Sequence, residues 1–114
     1  MATFAFTVTI PEQRIPEFRE LLAELRNDHS GLVERARALG YHRERMLLQP
    51  NPDGSARLIT CLELNEGVDL ADFQKGLATY ESDWTRWWNP RYVSFLGGRP
   101  VLAETLFAWD DDKN

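Results

Sequence analysis

Two histidines are the side chains of this sequence most suited to moving protons, because a free imidazole titrates near ~6.5. His29 falls on the apolar stripe of a predicted helix, and His42 begins a predicted strand. Each has two alternative roles, a general base that faces a ligand or a structural group held by a hydrogen bond or an ion pair. His29 and His42 are therefore candidate catalytic residues, with the structural role as the alternative.

The hairpin that contains His42 predicts a partner for it. If Pro50 pairs with Ser55, stepping back along the two strands places His42 opposite Glu63. A carboxylate across the strands would orient the imidazole and raise its basicity, as a general base requires. The alternative is an exposed ion pair at the end of the strand, which contributes little to stability.

Arg43 and Arg45 lie on one face of the same strand, because side chains alternate along a strand. On a face turned towards a ligand, two guanidinium groups could hold a carboxylate or enolate oxygen. The alternative is that they reach a carboxylate across a dimer interface. Arg43 is the third candidate catalytic residue.

Aromatic side chains are concentrated in one segment, where three of the four tryptophans lie within five positions. Such a cluster either closes a core or lines the binding site of a flat organic ligand, which an indole N–H or a tyrosine hydroxyl would orient. The candidate ligand-binding residues are Tyr80, Trp84, Trp87, Trp88 and Tyr92.

Composition argues against several other kinds of site. The single cysteine, Cys61, cannot form an intrachain disulfide, which suits a reducing cytoplasm. No Cys/His cluster predicts a metal, and no glycine-rich loop predicts a phosphate-bearing cofactor, so we expect neither. The net charge of −5 argues against nucleic acid. No apolar run approaches the ~20 residues that span a bilayer. We expect a cytoplasmic protein with no nucleic-acid or membrane partner.

Four segments have the pattern of strands. Thr3 to Ile10 alternates apolar and small polar residues, which predicts the first strand. The second and third, Tyr41 to Gln49 and Ser55 to Leu64, flank a proline- and glycine-rich turn and predict a hairpin. Val101 to Trp109 alternates again and predicts the last strand, before a charged tail over residues 110–114.

Pro16 marks the first turn of the first predicted helix. Residues 27–31 are poor helix formers, which predicts a break, with Asp28 or Ser30 capping a second piece and Gly40 ending it. Its apolar stripe, at spacings of three and four, is Phe18, Leu22, Leu25, His29, Leu32 and Ala36.

The second predicted helix begins after Asp69, a good N-cap residue. Apolar and aromatic residues continue at helical spacing as far as Trp88, and Asn89-Pro90 is expected to end the helix because proline disfavours helix at the preceding residue.

The order strand, helix, strand, strand, helix, strand predicts one α+β domain over residues 1–109 with a ferredoxin-like βαββαβ topology. Right-handed crossovers place the helices on one face of a four-stranded antiparallel sheet. The first and last strands are expected at or next to its centre. We expect a second copy of the chain to cover the other face, which makes the protein a homodimer.

Trp84 to Val93, with the sequence WTRWWNPRYV, resembles the segment before the last strand in the dimeric α+β barrel superfamily. That superfamily includes antibiotic-biosynthesis monooxygenase-like, stress-responsive barrel and NIPSNAP-like proteins, and the element order extends the resemblance over nearly the whole chain. The resemblance implies a barrel formed by two facing sheets, with a small organic ligand bound between sheet and helices.

The resemblance implies two alternative functions. One is a cofactor-independent, monooxygenase-like enzyme that acts on a small hydrophobic or aromatic compound, and the other is a non-catalytic small-molecule-binding or stress-related barrel. The haem-degrading members pair a strand asparagine with a histidine on the second helix. Neither is present here, and the asparagine of the quinone-forming oxygenases is also missing.

Overall fold

The computed structural model of the chain describes residues 2–109, in which four α-helices accompany a four-stranded sheet. Neighbouring strands are antiparallel in the order β2-β3-β1-β4. The predicted α+β class is therefore confirmed, and the order agrees with a ferredoxin-like arrangement. The predicted tail at 110–114 lies outside the described residues. The strands are β1 (Thr3–Ile10), β2 (Tyr41–Pro50), β3 (Ala56–Leu64) and β4 (Val101–Ala103), and the helices are α1 (Ile15–Asn27), α2 (Ser30–Leu39), α3 (Leu70–Thr79) and α4 (Asp83–Ser94).

One face of the sheet carries the core, because side chains alternate along each strand. The buried positions of β1 and β3 are Phe4, Val8, Ile10, Ala56, Leu58, Thr60, Leu62 and Leu64. Buried side chains from all four helices cluster with them, among them Phe18, Leu25, Ala36, Phe73 and Trp88. The helices therefore lie on one face, as predicted. None of the helices in residues 2–109 has the length and apolarity needed to cross a bilayer.

The predicted break in the first helical segment separates α1 from α2. The Asp28 carboxylate accepts hydrogen bonds from the backbone N–H of Ser30 at 3.1 Å and from its hydroxyl at 2.8 Å. These bonds hold the pKa of Asp28 below its ordinary value. Gly40 ends α2 with a left-handed φ of 91°, which glycine adopts without steric cost.

The second helical segment is two helices, which corrects the single helix predicted from the spacing. A capping box joins Ser82 and Thr85, each side chain accepting a hydrogen bond from the other residue's backbone N–H, and starts α4. The prediction that Asn89-Pro90 ends the helix is wrong, because Pro90 lies inside α4. Proline loses only one intrahelical hydrogen bond, and packing of the aromatic face keeps the helix continuous.

The hairpin of β2 and β3 is confirmed, but its predicted register is wrong by one residue. Pro50 pairs with Ala56 rather than Ser55, so Arg43, and not His42, stands opposite Glu63. A slip of one residue exchanges the two faces of a strand, so the faces predicted for the side chains of β2 need correction as well.

The changed pairing holds from the turn as far as Arg43, and a β-bulge at the start of β2 ends it. The register shifts between Tyr41 and Arg43, which leaves His42 as the extra residue. Beyond the bulge, alternation resumes with Glu44 on the helix-covered face, the face that also holds the ring of Tyr41. The pairing set at the turn therefore places the charged Glu44 on the interior face, and the bulge brings Tyr41 to the same face.

The last strand differs from its prediction in length and position. β4 covers only Val101–Ala103, and it lies at the edge of the sheet beside β1 rather than at or next to the centre. The following residues 104–109 are exposed and belong to no strand. An alternating pattern forms a ladder only where a neighbouring strand offers backbone groups, and no strand of residues 2–109 pairs with this segment.

The contact between α2 and α4 gives a first prediction. A β-carbon at Gly31 would overlap the side chain of Trp84, which stacks on Trp88. Gly31→Ala is therefore expected to lower the free energy of unfolding by about 1–3 kcal/mol, although alanine is the better helix former. The matched Gly76→Ala meets only the end of the Leu39 side chain and is expected to be neutral or stabilising. Urea unfolding compares the two, and equal effects would contradict the tight contact.

Candidate functional site

A cavity of about 410 Å³ lies between the helix-covered face of the sheet and helices α2, α3 and α4. We call it the Thr60 cavity, after the residue of β3 that lines it. Its volume falls within the range of small-molecule sites. The polar side chains that line it are Arg35, Glu44, Thr60, Asn89 and Tyr92. The apolar ones include Phe6, Met46, Leu62, Leu77 and Trp88.

Thr60 is the least expected of these residues. It lies in the middle of β3, between Phe6 of β1 and Met46 of β2. Its relative exposure is 2%, and its hydroxyl makes no hydrogen bond of standard geometry among the described residues, although the Tyr92 hydroxyl lies close enough to interact with it. A buried hydroxyl without a partner costs roughly 1–3 kcal/mol. Thr60 therefore brings to the wall of the cavity a buried hydroxyl whose hydrogen-bonding capacity the protein uses only in part.

Arg35, Tyr41 and Glu44 form a buried polar cluster beside the cavity. The Tyr41 hydroxyl accepts from Arg35 Nε at 3.2 Å and donates to Glu44 Oε1 at 3.0 Å. The guanidinium lies 3.6 Å from the same carboxylate oxygen, and the two charged side chains are only 11% and 7% exposed. The Arg35 guanidinium also lies over the Trp84 ring, 5.1 Å from its centroid. Each charge thus has a defined partner away from water.

Burial governs the protonation of this region. It raises the pKa of Glu44 above its ordinary value, while the positive charge of Arg35 opposes the rise. Burial likewise raises the pKa of Tyr41. It raises the pKa of Tyr92 to about 12, although the interaction with the neighbouring Thr60 hydroxyl lowers it. Both phenols are neutral at pH 7. Among the side chains that line the Thr60 cavity, Glu44 is therefore the one whose pKa is raised from the acidic range towards neutral pH.

The predicted aromatic residues divide between the cavity, the core and, for Tyr80, the C-cap of α3. Trp88 lies in a stack, with ring centroids 5.3 Å from Trp84 and 5.5 Å from Tyr92. Trp88 and Tyr92 line the Thr60 cavity, whereas Trp84, Trp87 and Tyr80 do not. Trp87 packs against the core beside the sheet, and Trp84 packs over α2.

His42 and Arg43 are placed outside the Thr60 cavity. His42 Nδ1 lies 2.8 Å from Asn65 Oδ1, and Nε2 lies 3.7 Å from the carboxylate of Glu63. Arg43 approaches the other oxygen of Glu63 at 3.7 Å. The predicted contact between His42 and Glu63 exists although the register differs, because the bulge lets His42 and Arg43 share one carboxylate.

His29 occupies the exposed junction of α1 and α2 and lines a second cavity of about 530 Å³. We call this the His29 cavity. Glu44 and Met46 line both cavities, so they form the partition between them. His29 is therefore separated from the Thr60 cavity by these two side chains of β2.

Sequence reasoning missed Arg35, Glu44 and Thr60. The alternation of side chains contained a signal for Glu44 and Thr60. Glu44 lies on the same side of β2 as the apolar Met46 and Leu48, and Thr60 lies on the same side of β3 as its buried neighbours. Nothing in the chain marked Arg35, since a charged residue on an amphipathic helix is ordinarily solvated.

A comparison with protein-family models finds no match, and no curated protein is found to be similar. In residues 2–109, no group of three or more His, Cys, Asp or Glu side chains is placed to hold a metal ion. The chemistry of the site follows from the geometry of the side chains described above.

Proposed function

We propose that this protein binds a small, flat, mostly apolar organic compound with a hydroxyl or carbonyl oxygen in the Thr60 cavity. The observation that carries the proposal is the buried Thr60 hydroxyl at the cavity wall, which makes no hydrogen bond of standard geometry among residues 2–109 although Tyr92 lies beside it. A ligand oxygen there would satisfy a group whose isolation otherwise costs stability. Apolar ligand pockets with a few convergent polar groups follow this general design.

The rest of the cavity suits such a compound. Phe6, Met46, Leu62 and Leu77 supply apolar contacts, and the indole of Trp88 offers a flat surface for an aromatic ring. Its volume of about 410 Å³ accommodates a compound with two fused rings.

A prediction follows for Thr60→Val, which removes the hydroxyl and preserves the shape of the side chain. Without a buried unpaired group, the free energy of unfolding should rise by about 1 kcal/mol, whereas the affinity for 1-naphthol should fall about tenfold, since a hydrogen bond is lost. Urea unfolding and a titration of tryptophan fluorescence measure the two effects.

Two controls make this prediction specific. Naphthalene lacks the hydroxyl, so its affinity should not change in Thr60→Val. Thr7→Val makes the same substitution on β1, at a position outside the cavity lining, and should leave naphthol binding unchanged. A wild-type protein that binds neither compound, nor any larger member of a panel of phenols and quinones, would contradict the proposed function.

A second candidate function is acid–base catalysis on the bound compound, and the position of Glu44 favours it. A buried carboxylate with a raised pKa in a cavity lining is a suitable proton acceptor for a phenolic hydroxyl or an acidic C–H. Arg35 and Tyr41 hold it in one orientation through its Oε1 atom. Such a group would serve a cofactor-independent, monooxygenase-like reaction, in which the deprotonated substrate passes electrons to oxygen.

Oxygen consumption tests the catalytic candidate. Wild-type protein and Glu44→Gln would be compared with dihydroxynaphthalenes, after subtraction of the spontaneous rate. A proton-transfer role predicts a loss of about 100-fold or more in the variant. Equal rates in the two proteins, with binding retained, would leave binding as the function and remove Glu44 as a base.

We also propose that the protein is a homodimer in which a second copy covers the bare face of the sheet. That face carries the apolar Ile59, Cys61 and Leu47 among small and charged residues. A mixed face of this kind is compatible with an interface, because non-obligate interfaces are about as apolar as the rest of a protein surface. Light scattering at micromolar concentration should give twice the chain mass, and the mass of one chain would contradict the dimer.

A further inference from the structure

The His29 cavity has an exposed polar end and a buried apolar end. Arg26 and His29 are its exposed lining residues, whereas the side chain of Glu44 lies buried at the sheet. The apolar part of the lining consists of Leu22, Leu25, Leu32 and Met46. The cavity, of about 530 Å³, therefore leads from two nitrogen-bearing side chains at the surface, past leucines, to the interior.

The two side chains at the exposed end are free to bind a ligand. Among residues 2–109, Arg26 takes part in none of the ion pairs. His29 is the N-cap residue of α2, but its imidazole does not cap the helix. The neighbouring carboxylate of Asp28 accepts hydrogen bonds from Ser30 instead. The guanidinium and the imidazole can therefore donate hydrogen bonds to a bound compound.

Met46 separates the buried end from the Thr60 cavity. It pairs with Thr60 across β2 and β3, and it lines both cavities and a third one, of about 460 Å³, between α1 and β2. Open space on three sides leaves room for this side chain to move, and methionine is unbranched and flexible. Glu44, the other residue of the partition, is held by Tyr41 and Arg35. Met46 is therefore the side chain whose movement would join the two cavities.

We infer that the ligand of the Thr60 cavity extends past Met46 into the His29 cavity and ends in a carboxylate that Arg26 and His29 bind. The inference rests on the proposed function and specifies the class of compound. That class is a hydroxylated aromatic ring joined by an apolar chain to a carboxylic acid. The ring oxygen meets Thr60, the chain contacts the leucines, and the carboxylate remains at the exposed end.

A carboxylate fits this end in charge and in shape. Arg26 brings one permanent positive charge, which balances a single negative charge, and its planar guanidinium can form two parallel hydrogen bonds with a carboxylate. At the exposed end the carboxylate keeps part of its hydration, so it avoids the cost of burying a charge. The carboxylate of Glu44 has its own cation in Arg35 and does not compete for Arg26.

A series of carboxylic acids and their methyl esters tests the inference. The compounds are 1-naphthols with a straight-chain acid on the second ring, from the acetic to the octanoic acid. Tryptophan fluorescence measures their affinities, because Trp88 lines the Thr60 cavity. At the best chain length, the acid should bind at least about tenfold more tightly than its ester, since only the acid forms charge-assisted hydrogen bonds with Arg26.

Variants at two exposed arginines make the test specific. Arg26→Gln should remove the difference between acid and ester and leave the affinity for 1-naphthol unchanged. His29→Ala should weaken binding of the acid less, because it removes one hydrogen bond and no permanent charge. Arg19→Gln is the matched control, since Arg19 is an exposed residue of the same helix that lines the third cavity but not the His29 cavity. Equal losses in Arg19→Gln and Arg26→Gln would overturn the inference.

Competition tests whether one ligand occupies both cavities. The acid should displace 1-naphthol, and Thr60→Val should weaken its binding as Arg26→Gln does. An acid that binds without displacing 1-naphthol would occupy a separate site, which would overturn the inference. If acids and esters bind equally at every chain length while 1-naphthol still binds, the inference fails and the proposed function stands. A protein that binds none of these compounds would overturn both.

Discussion

Trp88→Ala is expected to lower the free energy of unfolding by about 3–5 kcal/mol, the range found for removing a buried large aromatic side chain. Trp88 is fully buried in the core cluster that includes Val8, Leu58 and Phe95. It also lies between the rings of Trp84 and Tyr92, so its removal breaks the stack on both sides. Of the two buried residues of α4, Thr85 and Trp88, only Trp88 also lines the Thr60 cavity.

Urea unfolding followed by far-ultraviolet circular dichroism measures the effect. Val93→Ala, on the same helix at an exposed position, is the matched control and should change the free energy of unfolding by less than about 0.5 kcal/mol. Trp88→Phe should fall between the two, because phenylalanine retains part of the buried area. A loss below about 1 kcal/mol for Trp88→Ala would contradict the role of Trp88 in closing the core.

Local patterns were sufficient to predict most of the fold. The alternation from Thr3 to Ile10 predicted β1 over its full length, and the weak helix formers around Asp28 predicted the break between α1 and α2. The turn that ends at Gly54 predicted the hairpin. Each of these features depends on residues that are near one another in the chain, so the physical cause is visible in the sequence.

The errors arose where distant parts of the chain decide the structure. Pro90 has a strong local tendency to end a helix, yet burial of the aromatic face of α4 outweighs it. Residues 104–109 have a strand pattern, but a strand also needs a neighbour with free backbone groups, and residues 2–109 provide none beside this segment. A pattern in one segment carries no information about its neighbour.

The register of the hairpin had the largest consequence for the candidate site. A shift of one residue from the turn to Arg43 changed which side chains of β2 face the helices, and the sequence alone reveals neither this shift nor the bulge that ends it. Glu44 therefore faces the interior, whereas His42, the bulged residue, lies at the surface. Trp88 and Tyr92 were predicted to contact a ligand and do line the Thr60 cavity, because their helical spacing follows from local sequence.

Arg35→Met is expected to lower the free energy of unfolding by about 3 kcal/mol at pH 7, because it leaves the buried carboxylate of Glu44 without its cation. Glu44→Gln should cost less, since a neutral amide can still accept the hydrogen bond from Tyr41. The double variant Arg35→Met/Glu44→Gln should be more stable than the sum of the single effects predicts. Additive effects would contradict direct coupling between the two side chains.

The dependence on pH provides an independent measurement of the same pair. Burial raises the pKa of Glu44 in the folded protein above its ordinary value of about 4.5, so the folded state holds this proton more tightly than the unfolded chain. The stability that the proton contributes is fully present below the pKa of the unfolded chain and is lost as pH rises through the pKa of the folded protein.

The free energy of unfolding of wild type, relative to Glu44→Gln, should therefore decline with rising pH across that interval. Arg35→Met should move the decline to higher pH, because the guanidinium is the charge that opposes the rise in the pKa of Glu44. If the difference in free energy of unfolding between wild type and Glu44→Gln does not change with pH, the pKa of Glu44 is the same in the folded and unfolded states. That result would rule out Glu44 as the proposed proton acceptor.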